Sequence, residues 1–240
     1  MREAQVTTGA DIALIDTELC GADVLIARFQ RPEGYTYQAG QWGRFTLATR
    51  IGEQSRIFTH SSAPEDDGIE LATRLSDSAF KQALRAMRPG DTVSLAGPGG
   101  RFVLPEGVER IAFLVGGVGI TPARSILRHA VATGTRFDDA VVFYGNRDPS
   151  CVPYRPELEA MADSAVRVID VFERAPEDSL AEKGFITAEV VRRYTGAVQP
   201  EWFYVSGPPP MVEAMVLVLD ELGVAREQRM IERFGSSTGA

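Results

Sequence analysis

The stretch Ile111–Ala130, IAFLVGGVGITPARSILRHA, constrains this chain more than any other. Five apolar residues, Ile111–Val115, run unbroken into Gly116, Gly117 and Gly119, and a helical pattern follows at once. An apolar run bounded by glycine suits a parallel strand buried on both faces. Glycine lacks a Cβ, so it serves where the backbone turns sharply or lets a ligand come close. Thr121 is a good N-cap and Pro122 a good first helical residue, so the pattern predicts a helix over Pro122–Ala132. The free N–H groups and positive dipole end of that helix point at the glycine turn, where a phosphate would sit. By itself the stretch also fits a tight strand–helix turn that holds no ligand, since glycine patterns of this kind are common.

The chain after about Val108 continues the same alternation. Ala140–Tyr144, Arg167–Val171 and Trp202–Val205 read as strands; Glu157–Ala162, Thr187–Tyr194 and Met211–Leu222 read as helices. Strands alternating with helices give a parallel sheet covered on both faces, with ligands bound beyond the carboxyl ends of the strands. Three loops fall there: the glycine turn, Tyr144-Gly145-Asn146-Arg147 and Ser206-Gly207-Pro208-Pro209.

The first half has a different texture. Ile12–Asp16, Val24–Phe29, Trp42–Leu47, Ile69–Thr73 and Thr92–Ala96 favour strands, and turn formers such as Pro32-Glu33-Gly34 separate them. Short strands at this spacing predict an antiparallel barrel or sandwich, with one helix over Ala79–Met87 capped by Ser78. Arg56-Ile57-Phe58-Thr59-His60-Ser61-Ser62 sets a cation, a ring and hydroxyls along one strand. Such a set suits a large flat ligand that carries phosphate, and equally an ordinary edge strand. Ser76–Lys81 places helix N–H groups and a lysine at one point, a cradle for phosphate or a routine capped helix.

With 240 residues, 44% of them hydrophobic, the chain can bury a real core. A formal charge of −8 argues against nucleic acid as a partner. Cys20 and Cys151 belong to no ligand cluster, so the chain holds no four-cysteine iron–sulfur centre. With two histidines and no ligand-spaced carboxylates, no catalytic metal is expected. The polar, acidic start reads as no signal peptide, and no apolar run approaches a membrane span; the expected compartment is the cytoplasm.

RIFTHSS is similar to the flavin-binding signature of the ferredoxin–NAD(P) reductase family. Further stretches resemble that family's motifs in the same order: Ala39-Gly40-Gln41-Trp42, SAFKQAL, Gly97–Phe102, GGVGITP, YGNRDP and VSGPPPMVEAM. The resemblance implies a flavin-binding antiparallel Greek-key β-barrel over 1–107 and an α/β NAD(P)-binding domain over 108–240. It implies that Arg56 pairs with flavin pyrophosphate, that Phe58 lies against the ring system and that Thr59 bonds its N5 edge. Ser62, Thr73, Ser78 and Lys81 would complete that site, with FAD favoured over FMN. Gly116, Gly117, Gly119, Thr121 and Pro122 would hold the nucleotide pyrophosphate, and Asn146 and Arg147 the adenosine ribose. Ser206, Gly207, Pro208 and Met211 would reach the nicotinamide.

Ser206 replaces the family's usual cysteine there, and with Thr59 it is the expected catalytic residue. Phe234, in Ile231-Glu232-Arg233-Phe234, resembles the family's terminal aromatic, as a flavin shield or a core residue; the tail after it is expected to be disordered. His60 is expected to be a neutral packed histidine. The implied activity is hydride transfer from NAD(P)H to FAD, then electron transfer to ferredoxin, flavodoxin or an oxygenase component. A free-flavin or quinone reductase and a non-catalytic regulatory subunit are the alternatives. NADH and NADPH stay open, because Arg147 suits a 2′-phosphate and Asp148 opposes one.

Overall fold

Two six-stranded sheets, one antiparallel and one parallel, make up the structure, a computed structural model that describes residues 7–196 and 199–235. The first sheet holds β1 (Thr7–Cys20), β2 (Val24–Gln30), β3 (Trp42–Thr49), β4 (Gly52–Thr59), β5 (Gly68–Arg74) and β6 (Thr92–Gly99). Their order is β4-β3-β6-β1-β2-β5. β1 is far longer than its apolar run suggests. It pairs with β6 through Thr7–Ala13 and with β2 through Leu14–Cys20, shifting register at Asp16 as it passes from one to the other. That bend curls the sheet and brings its edges together, where Ser61 N–H donates to Glu70 O at 2.8 Å. The barrel core is Leu25, Phe29, Phe45, Leu71, Phe80, Leu95 and their neighbours. The helix α1 (Ala79–Ala86) contributes Phe80 and Leu84 to it.

Residues 100–109 lead into the second sheet, ordered β10-β9-β8-β7-β11-β12 with every neighbour parallel. Its strands are β7 (Arg110–Gly116), β8 (Asp139–Asn146), β9 (Val166–Phe172), β10 (Glu182–Lys183), β11 (Trp202–Gly207) and β12 (Arg229–Arg233). The helices are α2 (Ile120–Thr133), α3 (Arg155–Ala160), α4 (Ala188–Thr195) and α5 (Pro209–Glu221). One core lies under α2 and α3, with Ile120, Ile126, Leu127 and Leu158. The other lies under α4 and α5, with Val190, Val191, Val212 and Met215. The apolar run of β7 is buried throughout, as a central parallel strand must be.

From β7 the chain winds outward to β10 on one side and then returns to β11 on the other. Adjacent strands β7 and β11 therefore send their following loops in opposite directions, which opens a crevice at their carboxyl ends.

The expected fold class is what the structure shows. The start of α2 differs: a 3-10 turn over Gly117–Gly119 leads straight into a helix that begins at Ile120. Thr121 lies inside its first turn and donates to Val118 O at 3.1 Å, so it caps nothing. The expected disordered tail lies, from Ser236, outside the described residues.

Candidate active site at the domain crevice

The barrel side of the crevice is built from β4, β5 and α1. β4 is an edge strand, so its last residues have one free flank, and Phe58 packs against Phe45 and Phe80 at centroid distances of 5.8 and 5.7 Å. Ser78 caps α1 and accepts from Lys81 N–H at 3.3 Å. Three cations meet at this corner. Lys81 Nζ donates to Arg74 O at 2.7 Å, and the Arg56 guanidinium lies 6.0 Å from the Phe80 ring centre. Burial, then the charges of Arg56 and Arg74, holds the Lys81 ammonium below its ordinary value. A repulsive cluster inside a chain of charge −8 fits a ligand that brings negative charge. Arg74 pairs with Asp23 at 2.5 Å, and its other end is turned towards the 3-10 turn, where a Cβ on Gly117 would lie 3.6 Å from Nη2. Arg74 thus links the cation cluster to the nucleotide-domain loop.

On the other side, the loops after β7 and β11 are locked together. Ser206 is fully buried and its hydroxyl donates to Gly119 O at 2.6 Å. A Cβ on Gly119 would meet Ser206 C at 2.7 Å and Gly207 Cα at 2.8 Å, so only glycine lets these two backbones approach. Gly116 faces Met211 in the first turn of α5. Phe234, half-buried, donates its N–H to Gly207 O at 2.9 Å and extends the β12 pairing into the same corner. Tyr144 Oη donates to Gly117 O and Pro153 O, each at 3.1 Å, which ties the glycine loop to the loop after β8. Asn146, the buried last residue of β8, has no hydrogen-bond partner for its Nδ2 among the described residues, a donor set for a polar ligand. Arg147 beside it is exposed and in no ion pair among the described residues, whereas Asp148 is held by Ser150 and Arg174. Pro208 opens α5 on the exposed side of the same corner.

The two sides meet at Thr59, whose hydroxyl donates to Glu232 Oε2 at 3.2 Å. Burial pushes the Glu232 carboxyl up to about 7, against the lowering effect of the Thr59 bond. Sequence reasoning missed Glu232; the available signal was an acid directly after the apolar pair Met230-Ile231 in the last strand, where one face is covered. Ser62 and Thr73, both expected at the flavin site, are buried. Ser62 is buried, with its hydroxyl bonded to Tyr37 Oη at 2.9 Å and accepting from Glu70 N–H at 3.0 Å. Thr73 is buried within β5. His60 is fully buried against Tyr35, Tyr37 and Phe45, with Nε2 bonded to Tyr35 Oη at 2.9 Å. It belongs to the barrel interior.

Comparison with known proteins bears on this arrangement. Residues 113–216 match the oxidoreductase NAD-binding domain family. The chain is 32% identical to ferredoxin–NADP reductase B of Sorangium cellulosum over 221 residues, covering 86% of this chain and 89% of that one. It is 30% identical to the reductase component of propane 2-monooxygenase from Rhodococcus jostii, over 85% of this chain and 57% of that one. NADH-cytochrome b5 reductase 1 of Ajellomyces capsulatus is 28% identical over 74% of this chain and 61% of its own. The chain thus spans little more than half the length of these last two relatives. Among solved structures, a ferredoxin NADP+ reductase from Neisseria gonorrhoeae with bound FAD and NADP shares the fold, with a TM-score of 0.84 at 22% identity. That likeness covers 95% of this chain and 99% of that one.

An antiparallel barrel joined to a parallel sheet that matches an oxidoreductase NAD-binding family, with reductases among its relatives, defines a two-domain oxidoreductase. The chain belongs to the ferredoxin–NAD(P) reductase family.

Proposed function

We propose that the protein is an FAD-dependent NAD(P)H reductase that passes electrons to a separate acceptor protein: a ferredoxin, a flavodoxin or an oxygenase component. The observation that carries this reading is the cluster of Arg56, Arg74 and Lys81 at the α1 cap, facing the Gly117 loop. Arg56 and Lys81 have the charge and Ser78 the cap to hold a flavin pyrophosphate, and Phe58 offers a ring edge beside them. The Gly116–Gly119 loop and the unpartnered Asn146 amide fit a pyridine dinucleotide on the other wall. Bound together, the two cofactors supply the hydride donor and acceptor, and the flavin can release electrons singly.

The protein's share is alignment and proton placement. Gly119 and Ser206 fix the distance between the β7 and β11 loops. The Thr59 hydroxyl, donating to Glu232 Oε2, can carry a proton between that carboxyl and a ligand atom at the crevice. An acidic acceptor is supported by the outer surface of β3, β4 and α1. Arg44 on β3, Arg50 just after it, Arg85 on α1 and Arg88 just after it are exposed and in no ion pair among the described residues, and Ile57, opposite Arg44 on β4, is half-exposed. NADH and NADPH are both admitted.

Arg56→Ala removes one charge-assisted partner of the pyrophosphate, so flavin should be lost with at least about a tenfold rise in Kd. Purified parent protein should be yellow, and spectral titration of apoprotein with FAD and FMN measures the affinity. Equal affinity in parent and variant removes the role of Arg56; a parent that takes up neither flavin removes the reading. Reduction of ferredoxin, cytochrome c, free flavin and quinone in parallel assays then separates a protein acceptor from a small one.

A further inference from the structure

The flavin signature and the glycine loop sit on different domains, so a reaction between their ligands depends on how firmly the domains are joined. Among the polar contacts across the join, one buried carboxylate gathers the most donors. Glu70, on β5, has its side chain 7% exposed. Its Oε1 accepts from Ser61 Oγ at 2.9 Å, Arg124 Nη1 at 2.7 Å and Tyr154 Oη at 2.9 Å; Oε2 accepts from Arg28 Nε at 3.3 Å. Arg124, on α2 and 8% exposed, also donates to Ser61 O at 2.7 Å and to Glu157 Oε2 at 2.8 Å. Its guanidinium lies 4.1 Å over the Tyr154 ring. From Arg28 through Glu70, Arg124, Glu157 and Arg128 to Asp66 the sign alternates at every step. The ladder crosses between the domains twice, at Glu70–Arg124 and at Arg128–Asp66.

A buried ion pair is weak evidence for stability, because desolvation offsets much of its Coulomb attraction. What a carboxylate with four fixed donors supplies is direction, and here both ends of the directed set lead to the crevice. Ser61 follows Thr59 by two residues, and Arg124 lies in the helix that begins beside Gly119. Tyr154 closes the loop after β8, whose Pro153 carbonyl shares Tyr144 Oη with Gly117 O. We infer that Glu70 is a positioning residue for hydride transfer: it sets the approach of the glycine loop to Thr59 by holding Arg124 and Tyr154 against Ser61. This rests on the reductase reading above, and it assigns Glu70 no contact with either cofactor.

Glu70→Gln keeps the volume and removes the charge that orients Arg124. The experiment compares oxidised holoprotein of parent and variant by three measurements. Stopped-flow gives the rate of flavin bleaching by NADPH and NADH, normalised to bound flavin. Titration gives the Kd of NADP+ and NAD+. Hydrogen–deuterium exchange gives the opening of residues 59–62 and 117–125. The normalised rate should fall about tenfold or more, since sub-ångström misplacement of reacting groups is that costly. Flavin content and nucleotide Kd should stay within about twofold, with faster exchange confined to those two segments. Glu70→Asp, which keeps the charge, should recover part of the rate.

A Gln variant with parental rate and exchange overturns the inference. So does exchange raised throughout the chain with no change in the flavin-normalised rate, which marks a purely structural role. If Glu70→Gln does not fold, Tyr154→Phe decides: it removes one hydroxyl donor, a loss of about two- to fivefold in rate is expected, and parental behaviour overturns the role. A parent that holds flavin but is bleached by neither nucleotide removes the reductase reading itself, and the positioning role falls with it.

Discussion

Two titratable side chains neighbour Thr59, and burial tunes them in opposite senses. His60 sits wholly inside the barrel, where burial and then the Arg31 charge hold it down near 3, so it is neutral at any working pH. Its protonation in the unfolded chain makes folding less favourable as pH falls below about 6.5. Glu232 goes the other way. Its carboxyl, raised to about 7, keeps in the folded state a proton that the unfolded chain loses near 4.5. The stability this group contributes is therefore present below about 4.5 and is lost as pH rises through about 7. Glu232→Gln removes that dependence and leaves the His60 part untouched. Urea unfolding at pH 5 and pH 8 should show the parent losing about 1–2 kcal/mol more than the variant over that interval, a modest figure because the carboxyl keeps some contact with water. Parallel pH profiles for the two proteins would show that Glu232 is ionised in the fold. A proton donor poised near neutrality also suits the site, and the normalised rate of flavin bleaching in Glu232→Gln should lose its pH dependence between 6 and 8.

The elements show where pattern and packing carry different information. The apolar run of β7, its glycine turn and the helix after it are legible from residue types alone, because each uses local chemistry: burial on both faces, a missing Cβ, a helix start. The helix start is misplaced by two residues because the 3-10 turn over Gly117–Gly119 runs straight into the helix, so Thr121 already lies inside the first turn and its hydroxyl donates to Val118 O instead of capping. Which glycine is indispensable is not legible, since GGVG offers three equivalent candidates. Packing separates them. A Cβ at Gly116 meets the thioether of Met211, the far end of a flexible side chain that can swing aside. A Cβ at Gly119 meets the Ser206–Gly207 backbone, which has nowhere to go without parting β7 from β11. Gly119→Ala should raise the Kd for NADP+ by about tenfold or more while flavin binding is kept, and Gly116→Ala should change it less than about threefold. Isothermal titration of the two variants measures this, and equal effects would mean that the Ser206 contact does not shape the nucleotide site.

For the whole molecule, the two-domain architecture was readable, and so were the segments proposed to wall the two cofactors, because each is a contiguous motif. The join between the domains was not. Glu70, Arg124 and Tyr154 are ordinary residues in their own segments, and only the folded topology brings β5, α2 and the loop after β8 to one point. The same holds for Cys20 and Cys151. Separated by 131 positions and outside any spacing motif, they form a disulfide with a Cα–Cα distance of 5.5 Å. It links the end of β1 to the loop after β8, which carries Arg147, so the domains are tied covalently on that side and by the Glu70 ladder through the interface. A disulfide persists in oxidising surroundings and is rare where thiols are kept reduced, so the cytoplasmic expectation and this bond make different demands on the protein.

The consequence is measurable. Closing a loop of 131 positions should stabilise the oxidised chain through the unfolded state by up to about 5 kcal/mol, at the upper end for disulfides. Cys151→Ser should therefore unfold at lower urea than the oxidised parent, and excess dithiothreitol should bring the parent down to the variant's midpoint while leaving the variant where it was. Thiol titration of denatured protein purified without reductant should find no free thiol in the parent and one in the variant. Two free thiols in the parent, with a midpoint insensitive to dithiothreitol, would show that the domains are held by the polar network alone.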